Sequence, residues 1–462
     1  MFTRSVLTLV AMMFAATSLR ANEAVVTNLP AWLTRPLALA DALTTAEAQN
    51  AALLKARQDI QSTYGVALQT RAVALPRLNA TGQYRAIDDG LVDSPSVSGP
   101  TPFPVTFDQN NQSWNVGLEL AQTVYDGGRM QASLRTSRLL RQQATYDYQT
   151  TLADTLLNVR VFYDDVLLAA EQINVRDASI QLLTQQLEDT RRRQEAGTVP
   201  PFNVVRAEVE LANARPALSR ARNAFRIAKQ RLANELGYNL PETVAEDLPL
   251  NLTGRLEAPR TELGLATALA QALTNRSELA SLRIAEQLRK EGIDTAKSGY
   301  RPHLELFAGY GVQNRQFESD LTSQIHGWSA GARVNWPLFD GQLTKGRIQQ
   351  ARAQHERSII DYDDVRRRIE LDVRALYSTF VEAKEVLESQ QKVIEQATEA
   401  LRLANARYEA GTDTQLNVLS AQTALTEART VDVQALHSYS VALSRLRRAM
   451  GALVTSAKTD VP

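Results

Sequence analysis

The sequence predicts a mainly α-helical chain with a small membrane-crossing β portion. Two internal repeats give four barrel strands per protomer, continued by a long antiparallel coiled-coil α-helical barrel. Three observations predict it. The chain is written twice; four segments alternate apolar and polar residues at the period of a strand; and neither 129–196 nor 347–410 contains a Gly or a Pro.

The first residues, 1–21, read as a secretory leader. Arg4 precedes an apolar run from Val6 to Ala16 that is too short to span a bilayer, and cleavage is expected after Ala21 or Ser18. The mature chain is therefore expected outside the cytoplasm. No later segment offers about 18 consecutive apolar residues, so any membrane crossing downstream needs a closed barrel.

The repetition fixes the domain organisation. Trp114, Asp126, Gly127, Glu195, Gly197, Thr198, Asn203 and Gly237 recur as Trp328, Asp340, Gly341, Glu409, Gly411, Thr412, Asn417 and Gly451, each 214 positions later. Upstream, Leu53, Pro76, Leu78 and Tyr84 match Leu279, Pro302, Leu304 and Tyr310, each 226 positions later. The 12-residue difference falls between Tyr84 and Trp114, where the first copy has a longer loop with Pro95, Pro100, Pro102 and Pro104. The first repeat is expected over 22–237, a linker over 238–262, the second repeat over 263–451, and a tail over 452–462.

Strands are expected at 78–86, 113–124, 303–312 and 326–336. In the first, Leu78, Ala80, Gly82 and Tyr84 alternate with Asn79, Thr81, Gln83 and Arg85. The same alternation runs through Trp114, Val116, Leu118 and Leu120, through Leu304, Leu306, Ala308 and Tyr310, and through Trp328, Ala330, Ala332, Val334 and Trp336. Period two gives each strand one apolar and one more polar face. A tilted strand of this length reaches across a bilayer, with Trp and Tyr suited to its interfaces.

The long helices are expected at 129–196 and 343–410, each about 100 Å at 1.5 Å per residue. Leu152, Leu156, Val159, Tyr163, Val166, Ala170 and Ile173 alternate spacings of four and three, as do Ile369, Val373, Leu376, Phe380, Ala383 and Leu387. That is a coiled-coil seam. Shorter helical stretches are expected to stack end to end against the long ones, 204–236 with 263–298 and 416–450 with 37–75. The linker, with Pro241, Pro249 and Pro259, sits midway as a belt, and Pro216 should bend the first returning helix.

Composition excludes several functions. Lys plus Arg equals Asp plus Glu at 51 each, leaving no positive excess to neutralise nucleic acid. There is no Cys, hence no disulfide, thiol catalysis or acylated N-terminal Cys. His303, His326, His355 and His437 are dispersed without metal-ligand spacing, and no Gly-rich phosphate loop follows a strand. No catalytic residue, cofactor or metal is expected. Four strands cannot close a water-filled barrel, and an open sheet edge is not tolerated in lipid, so other copies of the chain must complete a tube.

Two segments and their echoes carry a resemblance over nearly the whole mature chain. They are WNVGLELAQTVYDGGR (114–129) with WSAGARVNWPLFDGQ (328–342), and YEAGTDTQLNVLSAQTAL (408–425) with QEAGTVPPFNVVRAEVEL (194–211). Taken together and in this order, they resemble the TolC family of outer-membrane efflux and secretion proteins. The resemblance implies a homotrimer with a 12-stranded barrel in outer-membrane lipid and a helical tunnel in the periplasm. It also implies a periplasmic adaptor (membrane fusion) protein and an inner-membrane RND pump or ABC exporter as partners, with the chain passing substrates and doing no chemistry.

Asp126, Gly127, Asp340 and Gly341 would be the turns from barrel strand to long helix, each Asp accepting hydrogen bonds from the next helix's free amides. The two Glu-Ala-Gly-Thr sites would be hairpin tips at the periplasmic mouth, capped by Gly197, Thr198, Gly411 and Thr412. Asn203, Arg206, Arg407, Tyr408, Asp413, Asn417 and Ser420 complete the expected gate and adaptor contact. One departure stands out: Asn417 and Ser420 occupy positions where the family often carries carboxylates. Asp413, partnered by Arg206 or Arg407, is the expected substitute. The strand motif leans toward members serving type I protein secretion. The competing reading is a soluble periplasmic coiled-coil interaction or adhesion protein, because heptads alone are common.

Overall fold

The computed structural model describes residues 31–91, 96–97, 105–106, 111–238, 247–259, 261–315 and 321–452. The expected leader, most of the proline-bearing loop, residues 239–246 and 260 of the linker and nearly all of the tail lie outside them. Along the chain run α1 (Leu39–Gln49), α2 (Ala51–Ala72), β1 (Arg77–Ala86), β2 (Gln112–Asp126), α3 (Arg129–Glu195) and α4 (Pro201–Glu235). Then follow α5 (Leu265–Asn275), α6 (Ser277–Lys297), β3 (His303–Asn314), β4 (Gln324–Asn335), α7 (Leu343–Glu409) and α8 (Gln415–Ala449). Among the described residues no helix is long and apolar enough to cross a membrane.

The four long strands form one antiparallel sheet in the order β1-β2-β3-β4. Its register collects the alternating residues of all four strands. Ala80 faces Leu118, Leu118 faces Tyr310, and Tyr310 faces Trp328, so one side of the sheet is a continuous apolar surface. That surface is bare: Leu118 is 52% exposed, Val334 65% and Trp328 80%. The other side carries Asn79, Gln83, Arg85, Asn115 and Glu119 from the first hairpin. There Arg333 pairs with Glu305 at 3.1 Å and covers the Phe307 ring.

The two long helices, α3 and α7, have 67 residues each and the returning helices, α4 and α8, 35 each. The seam positions Leu152, Val159, Tyr163 and Val166 of α3 are buried, as are Ile369, Val373 and Phe380 of α7. α4 runs unbroken through Pro216.

The end-to-end stacking differs from the sequence expectation. Each returning helix abuts the helix pair of its own repeat. Asn50, between α1 and α2, donates its side-chain amide to the Glu235 carbonyl at 2.8 Å, and Arg276, between α5 and α6, donates to the Ala449 carbonyl at 2.8 Å. The last carbonyls of a helix lack intrahelical donors. The break residue of the same repeat supplies one, and this decides the pairing. Asn50 also caps α2, its Oδ1 accepting from the Ala52 amide at 2.8 Å, which is why 37–75 is two helices rather than one.

The described part of the linker crosses the middle of the helical body. Leu248 and Leu250 are buried in the first repeat's core beside Leu232 and Val166. The Tyr163 hydroxyl donates to the Leu37 carbonyl and accepts from the Gly254 amide, both at 3.1 Å, and the Tyr439 hydroxyl donates to the Pro259 carbonyl at 2.6 Å. One tyrosine from each repeat therefore pins the belt.

Candidate functional site

The strand-to-helix turns are built alike and seated differently. Asp126 is buried and its Oδ1 accepts from the Met130 amide at 3.0 Å; Asp340 Oδ2 accepts from the Thr344 amide at 2.8 Å. The Thr344 side chain and amide hold the Asp340 carboxyl below its usual range. Gly127 and Gly128, at φ 73° and 93°, make the first turn, and Arg301 donates to the Gly127 carbonyl at 2.9 Å. In the second turn Gly341 is followed by Gln342 at φ 72°, the one non-glycine with positive φ among the described residues. A side chain in that region costs about 1–2 kcal/mol.

At the far end of the helices the two hairpin tips share one backbone design. Gly197 and Gly411, at φ 72° and 73°, take the left-handed cap. The Thr198 amide then bonds the Arg193 carbonyl at 2.9 Å, and the Thr412 amide bonds the Arg407 carbonyl at 3.0 Å. Each threonine hydroxyl adds a second bond to the same carbonyl, at 2.8 and 3.1 Å. The first tip restarts with Pro at the opening of α4, where a missing amide costs nothing.

The structure brings Asp413 and Asn417 together and leaves the arginines apart from them. Asp413 Oδ1 accepts from the Thr414 amide and from the Asn417 side-chain amide, and these bonds hold its carboxyl below the usual range, with Arg407 acting through its field alone. Neither Arg206 nor Arg407 forms an ion pair with Asp413, so the expected Asp–Arg partnership is replaced by a cap within one tip. Arg407, Asn417 and Ser420 are exposed; Asn203 and Arg206 are half-buried in the first turns of α4.

Of the residues that hold one tip to the other, the sequence marks Tyr408 alone; Arg193, Thr190 and Gln415 emerge only from the packed tips. Arg193 lies over the Tyr408 ring, 4.8 Å from its centroid. Gln415, 4% exposed, donates to the Thr190 hydroxyl at 3.1 Å. A signal was present in the spacing: Gln415 and Gln422 stand one heptad apart on α8, and both are buried. Polar residues at such positions fix register between helices. Among the described residues no group of His, Asp or Glu is arranged to hold a metal ion.

Comparison with known proteins places these elements in a lineage. The sequence model of the family described as outer membrane efflux protein matches residues 42–238 and 268–452, one match per repeat. The chain is 23% identical over 426 residues to outer membrane protein TolC of Vibrio cholerae, covering 92% of each chain. It is 24% identical over 348 residues to the alkaline protease secretion protein AprF of Pseudomonas aeruginosa, covering 75% of this chain and 71% of that one. Among solved structures, the outer membrane protein VceC of Vibrio cholerae superposes with a TM-score of 0.70 at 17% identity, covering 89% of this chain and 96% of that one.

Proposed function

The chain belongs to the outer membrane efflux protein family, and from that premise we propose that it is the outer-membrane exit duct of a tripartite efflux or type I secretion system. It passes substrates from an inner-membrane pump to the exterior and performs no chemistry on them. Three copies close a 12-stranded barrel in outer-membrane lipid, and their long helices continue it as a tunnel in the periplasm. An adaptor and an RND pump or ABC exporter meet the tunnel at its mouth, where Gly197, Thr198, Gly411, Thr412 and Asp413 form the tips. Residues 1–21 are removed as a leader, the two repeats supply equal shares of wall, and 238–262 belts the tunnel.

The observation that carries this reading is the sheet. Its apolar face is exposed on all four strands while its other face carries Arg, Glu, Gln and Asn, as in a barrel wall with lipid outside and water inside. A soluble coiled-coil adhesion protein gives no reason for four strands with bare Trp, Tyr and Leu on one side.

The test compares the two faces. Leu118→Arg is expected to cost about 2–4 kcal/mol near the bilayer midplane and to deplete the assembled species from outer membranes, whereas Asn79→Arg on the inner face is expected to assemble normally. Chemical cross-linking of the detergent-extracted protein should yield one dominant species of three chains. Equal tolerance of both substitutions would remove the barrel from the reading.

A further inference from the structure

Among the described residues both edges of the sheet are open: β1 and β4 each pair on one side only. Openness alone does not say which residue of one edge meets which residue of the other. The internal repeat does. Adding 226 to the β1 position and 214 to the β2 position converts Arg77↔Ala121 into His303↔Asn335, and Tyr84↔Trp114 into Tyr310↔Trp328, both observed pairs. The two hairpins are thus equivalent residue by residue. The junction that joins them inside the chain, β2 to β3, is then the template for the junction that joins β4 to the next copy.

In that template Val116 faces Val312, Leu118 faces Tyr310, and Leu120 faces Ala308. Carrying each partner one repeat around the ring gives a single register. We propose that β4 of one protomer pairs with β1 of a second copy so that Ala332 lies opposite the partner subunit's Tyr84, Val334 opposite the partner subunit's Gly82, and Ala330 opposite the partner subunit's Ala86. The proposal rests on the exit-duct reading and specifies its seam.

Two independent features agree with it. The first is the space around the turns. A Cβ on Gly127 would meet the Ser298 carbonyl at 2.7 Å and Arg301 Cβ at 2.9 Å, whereas nothing lies within 4 Å of the equivalent point on Gly341. The repeat equivalents of Ser298 and Arg301 are Ala72 and Leu75, at the foot of β1, so the second copy brings that segment to Gly341. The apolar side chains on the two edges are bare within one chain: Leu75 is 60% exposed, and Leu338 and Phe339 are 83% and 84% exposed.

The second is the cost of slipping. A shift of two residues one way sets Arg333 opposite the partner subunit's Arg85, and like charges directly opposite destabilise a ladder. A shift the other way sets Trp336 against the partner subunit's Leu78 and Ala332 against the partner subunit's Gly82, crowding one site and emptying the next. In the proposed register Trp336 meets the partner subunit's Ala80, Val334 the partner subunit's Gly82 and Ala332 the partner subunit's Tyr84, a large residue against a small one at each of these three rungs.

The chain has no Cys, so introduced pairs are its only thiols. Ala332→Cys with Tyr84→Cys tests the register, and Ala332→Cys with Gly82→Cys or with Ala86→Cys tests the slipped ones. Directly opposite Cβ atoms stand about 4.5–5.5 Å apart and diagonal ones about 7–8 Å, against the roughly 4 Å a disulfide needs. Because β1 and β4 are opposite edges of one sheet, a bond between them joins different chains.

After mild oxidation in detergent, non-reducing gels should show about tenfold more linked dimer and trimer for the Ala332/Tyr84 pair than for either slipped pair, given those separations. The reduced variants should keep the oligomeric mass of the parent, which checks that they assemble. Stronger linkage in a slipped pair, or trimers that link through none of the three, overturns the register and leaves the duct intact. A parent chain that is monomeric in mild detergent overturns the duct itself and the register with it.

Discussion

The seam inside each repeat and the seam between the repeats are made of different materials. Inside the second repeat, Ile369, Val373 and Phe380 of α7 pack on Tyr439, Leu443 and Leu446 of α8 in one buried apolar cluster. Inside the first, Val159 and Val166 of α3 pack on Ala228 and Leu232 of α4. Between the repeats α3 meets α6 and α8 largely through polar groups. Asp147 accepts from Ser281 at 2.6 Å, Asp154 from Arg448 at 2.7 Å, and Asp164 from Ser440 at 2.6 Å. Asp165 lies 2.7 Å from His437, Ser179 accepts from Thr426 at 3.3 Å, and Thr190 meets Gln415. Apolar burial is non-directional and strong, and buried polar pairs are directional and contribute less net free energy. Each hairpin is therefore held together by burial, while the two are set in register by hydrogen bonds.

The largest loss is expected from the apolar seam of the second repeat. Phe380 is 3% exposed and its ring centroid lies 5.5 Å from that of Tyr439. Phe380→Ala should cost about 3–5 kcal/mol in the transfer and cavity terms. Denaturant unfolding followed by circular dichroism reads it, and a loss smaller than that of any polar-seam variant would reverse the ranking of the two seams.

Arg448 is the deepest ionic group of the polar seam, donating to Asp154 and to Glu278 at 2.7 Å each. Arg448→Met leaves two carboxylates without their cation and should cost about 2–3 kcal/mol, less than Phe380→Ala because Asp154 remains partly hydrated. Adding Glu278→Gln should recover part of the loss, since one of the stranded charges is then gone. A strictly additive double variant would show that the ion pair carries no coupling.

The smallest effect is also the most specific, because it depends on pH. Burial holds the Asp164 carboxyl above its usual range, with the Ser440 hydrogen bond and the nearby His437 only partly offsetting it. A carboxyl raised in the folded state binds protons there that the unfolded chain has lost, so its contribution is full below the ordinary carboxylate range and falls as pH climbs through the raised value. Asp164→Asn keeps an acceptor for Ser440 and removes the ionised form. Its melting temperature should exceed the parent's at pH 8, with the difference shrinking to nothing below pH 4. A constant difference across that range would mean that the substitution acts through packing.

Much of this protein follows from the sequence alone, where a pattern is local or periodic. Period two and the pairing of Trp114 with Trp328 across the repeat mark the strands, the absence of Gly and Pro over 129–196 and 347–410 leaves the helices nothing to stop on, and Asp126 and Asp340 sit where a helix start needs acceptors. The apolar seams are equally visible, because burial selects residue type at fixed spacing. Tertiary structure alone decides what depends on which element lies beside which. Asn50 and Arg276 each offer a donor, but only the packed body shows that they cap the returning helix of their own repeat. Asp413 could meet an arginine or its own tip, and the tip wins because the Thr414 amide and Asn417 are already at hand. The acids of α3 read as an ordinary solvated face until α6 and α8 lie against them, since a charge carries no period that names its partner.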